Sequence, residues 1–175
     1  RPWQRARFLH LKSVKPSDVF MCSYPRSGNT WTRLIVACLL YPDVEEIDLN
    51  LIDWLVPECG QENVRQPQPR VFKEHAPKFD VFSRVLYNYR DGRDCISSQY
   101  SYLQQTRGYT GSMREFIVDR RAQVFGLWHE HVGQALAFKA RYPDRICMVA
   151  YEELREAPGE EIKVFVDTAP VMEKP

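Results

Sequence analysis

One segment, residues 18–40, constrains the fold more than any other part of the sequence. It begins with the apolar run Val-Phe-Met-Cys, continues through a loop that contains Pro25 and Gly28, and ends in the apolar stretch 34–40. A short apolar run closed by proline and glycine is typical of a buried strand and a turn, whereas the longer stretch is typical of a buried helix. We therefore predict a strand over 18–23, a loop over 24–29 and a helix over 30–40.

The loop has the composition of an anion site. At the first turn of the predicted helix, unpaired backbone N–H groups, the helix dipole, the hydroxyls of Ser27 and Thr30 and the cation of Arg26 converge. The sequence contains no G-x-x-x-x-G-K-[ST] motif, so the loop is not that of the nucleotide triphosphatases. Trp31, just inside the helix, offers a flat face for stacking a base, although core packing explains a tryptophan there equally well.

The composition limits the class of protein. The 175 residues suit a single domain; apolar residues make up 44% of them, and the formal net charge is +1. A charge near zero argues against a nucleic-acid binder, and no apolar run reaches the length of a membrane span. Five scattered cysteines without a C-x-x-C pair favour free thiols in a reducing compartment. We expect a cytoplasmic location, with an upstream leader or anchor left open because the sequence begins without methionine.

The remaining sequence alternates strands with helices. We predict strands over 70–75, 85–89 and 145–151, and helices over 47–56, 94–105, 113–121, 125–142 and 160–167. This alternation predicts a single α/β domain over 18–175 with a central parallel sheet, preceded by a surface arm over 1–17. Ligands bind such sheets at the carboxyl ends of the strands, where the loop 24–29, Lys73, His75, Arg90 and Tyr151 would gather.

Four segments of the sequence resemble motifs of one enzyme family. Residues 24–31 resemble the Y-P-K-S-G-T-T-W loop of the cytosolic-type sulfotransferases that use 3′-phosphoadenosine 5′-phosphosulfate (PAPS). Residues 73–77 are similar to the family's K-[TS]-H-L-P segment, 87–100 to Y-V-x-R-N-x-[KR]-D-x-x-x-S-x-Y, and 151–154 to Y-E-D-[LM]. The resemblance covers residues 18–167 with the four motifs in family order, which makes it far more specific than any single motif.

The resemblance implies a P-loop-like sheet, a cofactor and a set of contacts to it. In the family the loop holds the 5′-phosphosulfate of PAPS, an arginine and a serine hold the 3′-phosphate, and a tyrosine lies near the adenine. The corresponding residues of this chain are Arg26, Ser27, Gly28, Asn29, Thr30, Trp31, Arg90, Ser98 and Tyr151. The reaction product would be 3′-phosphoadenosine 5′-phosphate (PAP), and no metal is implied.

The resemblance also implies a catalytic group of three residues. His75 matches the family's catalytic histidine and would take the proton from the hydroxyl of a small-molecule acceptor, because imidazole is the base suited to neutral pH. Arg26 and Lys73 would neutralise the sulfate and the departing phosphate. Sulfuryl transfer resembles phosphoryl transfer, an in-line displacement in which positioning and cationic stabilisation carry most of the catalysis.

The sequence departs from the family pattern at three points. Arg26 stands where the family commonly has lysine; arginine keeps the charge but cannot donate its proton at a useful pH, so the leaving group is stabilised electrostatically or Lys73 serves as the acid. Asn29 replaces a threonine. The sequence ends at Pro175 without the family's closing R-K-G-x-x-G-D-W stretch, so we expect an incomplete chain or a half-enclosed 3′-phosphate and adenine.

Other functions stay open at this point. A nucleotide kinase is disfavoured by the missing lysine-hydroxyl ending of the loop and by the lack of an evident magnesium carboxylate after a strand. A non-catalytic PAP-binding or PAPS-binding homologue is favoured by the missing closing stretch. A zinc site at His129 and His131 is disfavoured because histidines two apart on a helix point to different sides.

The acceptor site is predicted only as a region. Acceptor pockets are built from loops, and the candidate loops cover 47–69, 76–84 and 106–112. Five aromatic residues could line an apolar pocket there or belong to the core: Trp54, Phe79, Phe82, Tyr102 and Tyr109.

Overall fold

The computed structural model describes residues 14–60, 69–119, 125–157 and 159–167. Within these ranges the strands are β1 (Val19–Cys22), β2 (Val71–Glu74), β3 (Arg84–Tyr89) and β4 (Ile146–Ala150). The helices are α1 (Asn29–Leu40), α2 (Leu49–Leu55), α3 (Gly92–Arg107), α4 (Met113–Val118), α5 (Trp128–Arg141), α6 (Tyr151–Glu156) and α7 (Glu160–Asp167), with a 3₁₀ turn at Pro143–Arg145.

The four strands form one parallel sheet in the order β2-β1-β3-β4. Cys22, the last residue of β1, is in register with Glu74 on one side and Tyr87 on the other. The carboxyl ends of the three strands therefore lie side by side, and the loops that follow them start from one edge. The predicted α/β fold with a parallel central sheet is confirmed.

Helices cover both faces of the sheet. Val19 and Met21 pack into a cluster with α1, α2 and α7, whereas Phe20 and Cys22 pack with Ala135 of α5 on the opposite face. The alternation follows from the two-residue period of a strand, which sends neighbouring side chains to opposite faces. Because both faces are covered, β1 is fully buried and consists of consecutive apolar residues.

The predicted elements match the observed ones with small shifts at their ends. Helix α5 begins at Trp128, three residues later than predicted. Tyr151, which we predicted as the last residue of a strand, instead begins α6, a helix that we did not predict. The backbone N–H of Ala150 donates to the Glu153 carboxylate at 3.2 Å, so the chain turns into a helix directly after β4. Helix α3 begins at Gly92, two residues earlier than predicted, because the Asp91 side chain caps it.

Some predictions lie outside the described residues. These are most of the arm over 1–17, the centre of the loop over 57–69 and the residues that join α4 to α5. Within the described ranges, the structure contains no helix that is both long and apolar enough to span a membrane.

Candidate active site

A cleft of about 740 Å³ opens at the carboxyl ends of β1, β2 and β3. Its walls include the start of α1, the end of β2, the middle and end of α3 and the beginning of α6. Ten of the eleven residues that the sequence predicts for the site line it: Arg26, Gly28, Asn29, Thr30, Trp31, Lys73, His75, Arg90, Ser98 and Tyr151. The eleventh, Ser27, does not.

The loop between β1 and α1 is held in an unusual backbone conformation. Arg26 has φ 68°, a left-handed value that a side chain disfavours, and Gly28 has φ 88°. A Cβ atom on Gly28 would also lie 2.4 Å from the ring of Tyr151. Glycine is thus required at position 28 both by the backbone and by the close approach of Tyr151.

The underside of the loop is anchored to its neighbours. Ser27 is fully buried, and its hydroxyl lies 3.3 Å from the thiol of Cys95. The side-chain amide of Asn88 donates to the main-chain oxygen of Ser27 at 2.6 Å. The hydroxyl of Ser27 therefore fixes the loop to α3. The sequence led us to expect that this hydroxyl would face the cleft, and that expectation was wrong.

The start of α1 presents unpaired polar groups to the cleft. The helix has no side-chain cap, and its first backbone N–H groups have no partner within the helix. The Asn29 amide nitrogen donates to the Ser23 hydroxyl at 3.0 Å, while its oxygen is buried without a hydrogen-bond partner. Thr30 and Trp31 are exposed, Trp31 by 46%, which excludes core packing as the role of this tryptophan.

His75 is held as a neutral imidazole. Its Nδ1 lies 2.9 Å from the main-chain oxygen of Ser23; a carbonyl can only accept, so Nδ1 carries the proton and Nε2 keeps its lone pair. Burial, together with the smaller effects of the nearby Lys73 and His131, lowers the pKa of His75 from 6.5 to about 4. The ring packs against Phe125 with the ring centroids 5.4 Å apart.

A second histidine, His131, contacts the main chain of His75. His131 is fully buried; its Nε2 lies 2.8 Å from the main-chain oxygen of His75, and its Nδ1 lies 2.7 Å from the hydroxyl of Tyr87. Nε2–H therefore donates to His75 and Nδ1 accepts from Tyr87. Burial lowers the pKa of His131 to about 4. Among the described residues, no group of three His, Cys, Asp or Glu side chains could hold a metal ion.

Lys73 forms an ion pair that the sequence did not predict. Its ammonium lies 2.7 Å from a carboxylate oxygen of Glu58, in the loop that follows α2. The two residues also form a parallel backbone bridge, in which the N–H of Lys73 donates to the oxygen of Pro57 at 2.8 Å. Both side chains line the cleft. The sequence gives no indication of this pairing, because Glu58 is a single glutamate in a proline-rich loop and belongs to no recognisable motif.

Arg26 and Arg90 approach the cleft from two directions. The Nε of Arg26 donates to the Ser98 hydroxyl at 3.0 Å, and its guanidinium lies over the ring of Tyr102. Arg90 lies over the ring of Tyr151 and pairs with Asp94 at 3.2 Å. The Nε of Arg90 is buried without a hydrogen-bond partner.

Of the five aromatic candidates for the acceptor pocket, one lines the cleft and four do not. Tyr102 lines the cleft, whereas Phe79 and Phe82 are buried in the core on the α5 face of the sheet. Trp54 is 60% exposed on α2, and Tyr109 packs against Tyr100 and Phe116. Phe125, which the sequence analysis did not single out, lines the cleft beside His75.

Comparison with known proteins identifies the family to which this chain belongs. The chain matches the sulfotransferase domain family over residues 16–167 and therefore belongs to that family. Sulfotransferase 1C2 of Oryctolagus cuniculus is 29% identical over 172 residues, which cover 86% of this chain and 57% of that protein. Sulfotransferase 1E1 of Homo sapiens is 28% identical over 165 residues, which cover 82% of this chain and 55% of that protein.

The fold is also that of solved sulfotransferases. The crystal structure of mouse sulfotransferase SULT7A1 complexed with PAP superposes with a TM-score of 0.67 at 17% identity, covering 94% of this chain and 63% of that one. At this identity the likeness establishes the fold alone. The chain spans little more than half of the length of the curated relatives described above.

Proposed function

We propose that the protein transfers a sulfuryl group from PAPS to the hydroxyl of a small-molecule acceptor. The observation that carries the proposal is the unprotonated Nε2 of a partly buried histidine, His75, in the same cleft as the cations Arg26, Lys73 and Arg90. A base and several cations in one site fit the transfer of an anionic group to a hydroxyl. Family membership and the likeness to a PAP-bound sulfotransferase support this assignment.

The donors of the cleft fit the two anionic ends of PAPS. The first-turn N–H groups of α1, the hydroxyl of Thr30 and the guanidinium of Arg26 would hold the 5′ end. Arg90 and Ser98 would hold the 3′-phosphate, and the Nε of Arg90 is a donor that still needs a partner. When bound, PAPS supplies the sulfuryl group and a phosphate leaving group; Trp31 offers an exposed face for the adenine.

Asn29 fits the same site when its amide is turned over. As assigned, its oxygen is the unpartnered atom and its nitrogen bonds to Ser23. The two ends of an amide are assigned from their hydrogen bonds, and Ser23 has a hydroxyl that can donate as well as accept. With the amide turned over, Ser23 would donate to the oxygen, and the nitrogen would be a donor toward a bound anion.

His75 would remove the proton of the acceptor hydroxyl through Nε2. In the free protein its pKa of about 4 makes it a weak base. An anion bound beside the ring would raise that pKa toward neutrality, because negative charge favours the imidazolium form. The bond to the carbonyl of Ser23 keeps the ring in one tautomer and one orientation during the transfer.

Arg26 and Lys73 would stabilise the negative charge that develops on the departing phosphate. The guanidinium of Arg26 keeps its charge at every useful pH, so its contribution is electrostatic. Lys73 is the alternative acid for the leaving group, and the backbone bridge to the Glu58 loop fixes the position of its main chain.

Calorimetric titration with PAP tests the cofactor site. AMP, which lacks the 3′-phosphate, is the ligand control, and Arg90→Ala is the variant. We expect binding of PAP, weaker binding of AMP and loss of the difference in Arg90→Ala, because Arg90 is the cation assigned to the 3′-phosphate. Equal affinity for PAP and AMP in the unchanged protein would contradict the proposed function.

A further inference from the structure

We propose that Glu58 is a positioning residue for Lys73: its carboxylate holds the Lys73 ammonium in the cleft and competes with the anionic 5′ end of the cofactor for it. This inference rests on the proposed function, because it concerns a cation assigned to that function. It adds a residue that none of the sequence motifs contains.

The geometry ties the two residues together twice. The side chains form an ion pair at 2.7 Å, with 19% of the lysine side chain and 34% of the glutamate side chain exposed. The backbones form a bridge on the outer edge of β2, where the N–H of Cys59 donates to the oxygen of Lys73 at 2.8 Å. The loop after α2 is thereby fixed to the strand that carries the catalytic candidates.

The pairing also affects the charge beside His75. Among the described residues, Lys73, Glu58 and His131 are titratable groups whose electrostatic effects reach the imidazole; Lys73 and His131 lower its pKa, and Glu58 raises it. Glu58 thus offsets part of the positive charge that Lys73 brings to the cleft. Removing the carboxylate while leaving the lysine would make the site more positive and more attractive to an anion.

A double-mutant cycle measured by PAP titration tests whether Glu58 acts through Lys73. Glu58→Gln is isosteric and retains the backbone bridge. We expect it to tighten PAP binding by about twofold to fivefold, the range of a partly exposed ion pair. In the Lys73→Met background the same substitution should tighten PAP binding less, because only the direct repulsion between Glu58 and the bound anion is then removed. An equal change in both backgrounds, or no change in either, would overturn the proposal.

The control is Asp53→Asn. Asp53 also forms an ion pair at 2.7 Å, with Arg33, but it does not line the cleft. Loss of a carboxylate there should leave PAP affinity unchanged, which separates a local effect on Lys73 from a change of net charge.

A second measurement works without the cofactor. Nitrogen-15 relaxation of the lysine ammonium groups reports how ordered each one is. We expect Lys73 to be more ordered than the exposed Lys163, and Glu58→Gln to reduce that order, because a neutral amide binds a cation less strongly than a carboxylate does. If the wild-type protein fails to bind PAP, the proposed function fails. The relaxation measurement still tests the role of Glu58 in that case. If the Lys73 ammonium is equally ordered in the wild-type protein and in Glu58→Gln, Glu58 does not position Lys73.

Discussion

The ring nitrogen Nδ1 of His75 lies 2.9 Å from the main-chain oxygen of Ser23, although the two residues are 52 positions apart in the sequence. The same serine accepts a hydrogen bond from Asn29 through its hydroxyl. Ser23 therefore joins the proposed base to the proposed anion loop. Parallel pairing of β1 with β2 produces this contact, because it places the residues that follow the two strands side by side.

Replacement of His75 by alanine should abolish turnover while retaining PAP binding. General-base catalysis contributes roughly a hundredfold to ten-thousandfold, so we expect a loss of that size in kcat with an acceptor and PAPS. His129→Ala is the matched control, since His129 is exposed on α5 outside the cleft. Full turnover in His75→Ala would show that the histidine is structural. If the wild-type protein binds PAP but shows no turnover, the interpretation as a non-catalytic PAP-binding homologue is favoured.

Acid should destabilise the fold through its buried histidines. His75 and His131 both have a pKa of about 4 in the folded protein, against 6.5 as the ordinary value. The unfolded chain binds more protons between these values, so the free energy of unfolding should be highest above pH 6.5 and fall as the pH drops toward 4.

Urea unfolding at several pH values checks this expectation. His131 should account for a slope of up to about 1.4 kcal/mol per pH unit within the window. His131→Gln should remove that share of the slope, whereas His129→Gln should leave it intact. Identical slopes in the unchanged protein and in His131→Gln would refute the assignment.

Substitution of Gly28 by alanine should damage both stability and binding. The left-handed backbone and the close approach of Tyr151 leave no room for a methyl group, so we expect a loss of about 1–3 kcal/mol in the free energy of unfolding. PAP binding should weaken as well. Gly133→Ala in α5 is the control: it has no neighbour within 4 Å, and alanine there should stabilise the helix by about 0.5–1 kcal/mol. A neutral Gly28→Ala would contradict the geometry.

Trp31 should contribute to nucleotide binding through its exposed ring. If the ring stacks on adenine, Trp31→Ala should weaken PAP binding by about fivefold to a hundredfold, since such stacking contributes about 1–3 kcal/mol per base. Trp54→Ala, which removes another largely exposed tryptophan outside the cleft, should have no effect. Equal affinities of the two variants for PAP would exclude the stacking role.

Local pattern was sufficient to predict the elements and most of the cleft. Buried strands in a parallel sheet are consecutive apolar residues, and the polar residues at their ends, such as Lys73, His75 and Arg90, are brought together by any parallel arrangement. The direction of the Ser27 side chain escaped this reasoning: its hydroxyl turns to Cys95, because that direction depends on how α3 packs. Asn88 within the buried β3 was a polar residue in an apolar strand, a signal that the sequence analysis did not use.

The sequence by itself determined the order of strands and helices and the residues that the strand ends carry, because both follow from local periodicity and from turn chemistry. Tertiary structure decided which partners those residues have. Glu58 reaches Lys73 because the loop after α2 bridges β2, and Ser23 reaches His75 because β2 pairs with β1. His131 reaches the main chain of His75 because α5 packs on one face of the sheet. Hydrogen bonds and ion pairs act over about 3 Å, so contacts between residues distant in sequence are set by packing and leave no local pattern to find.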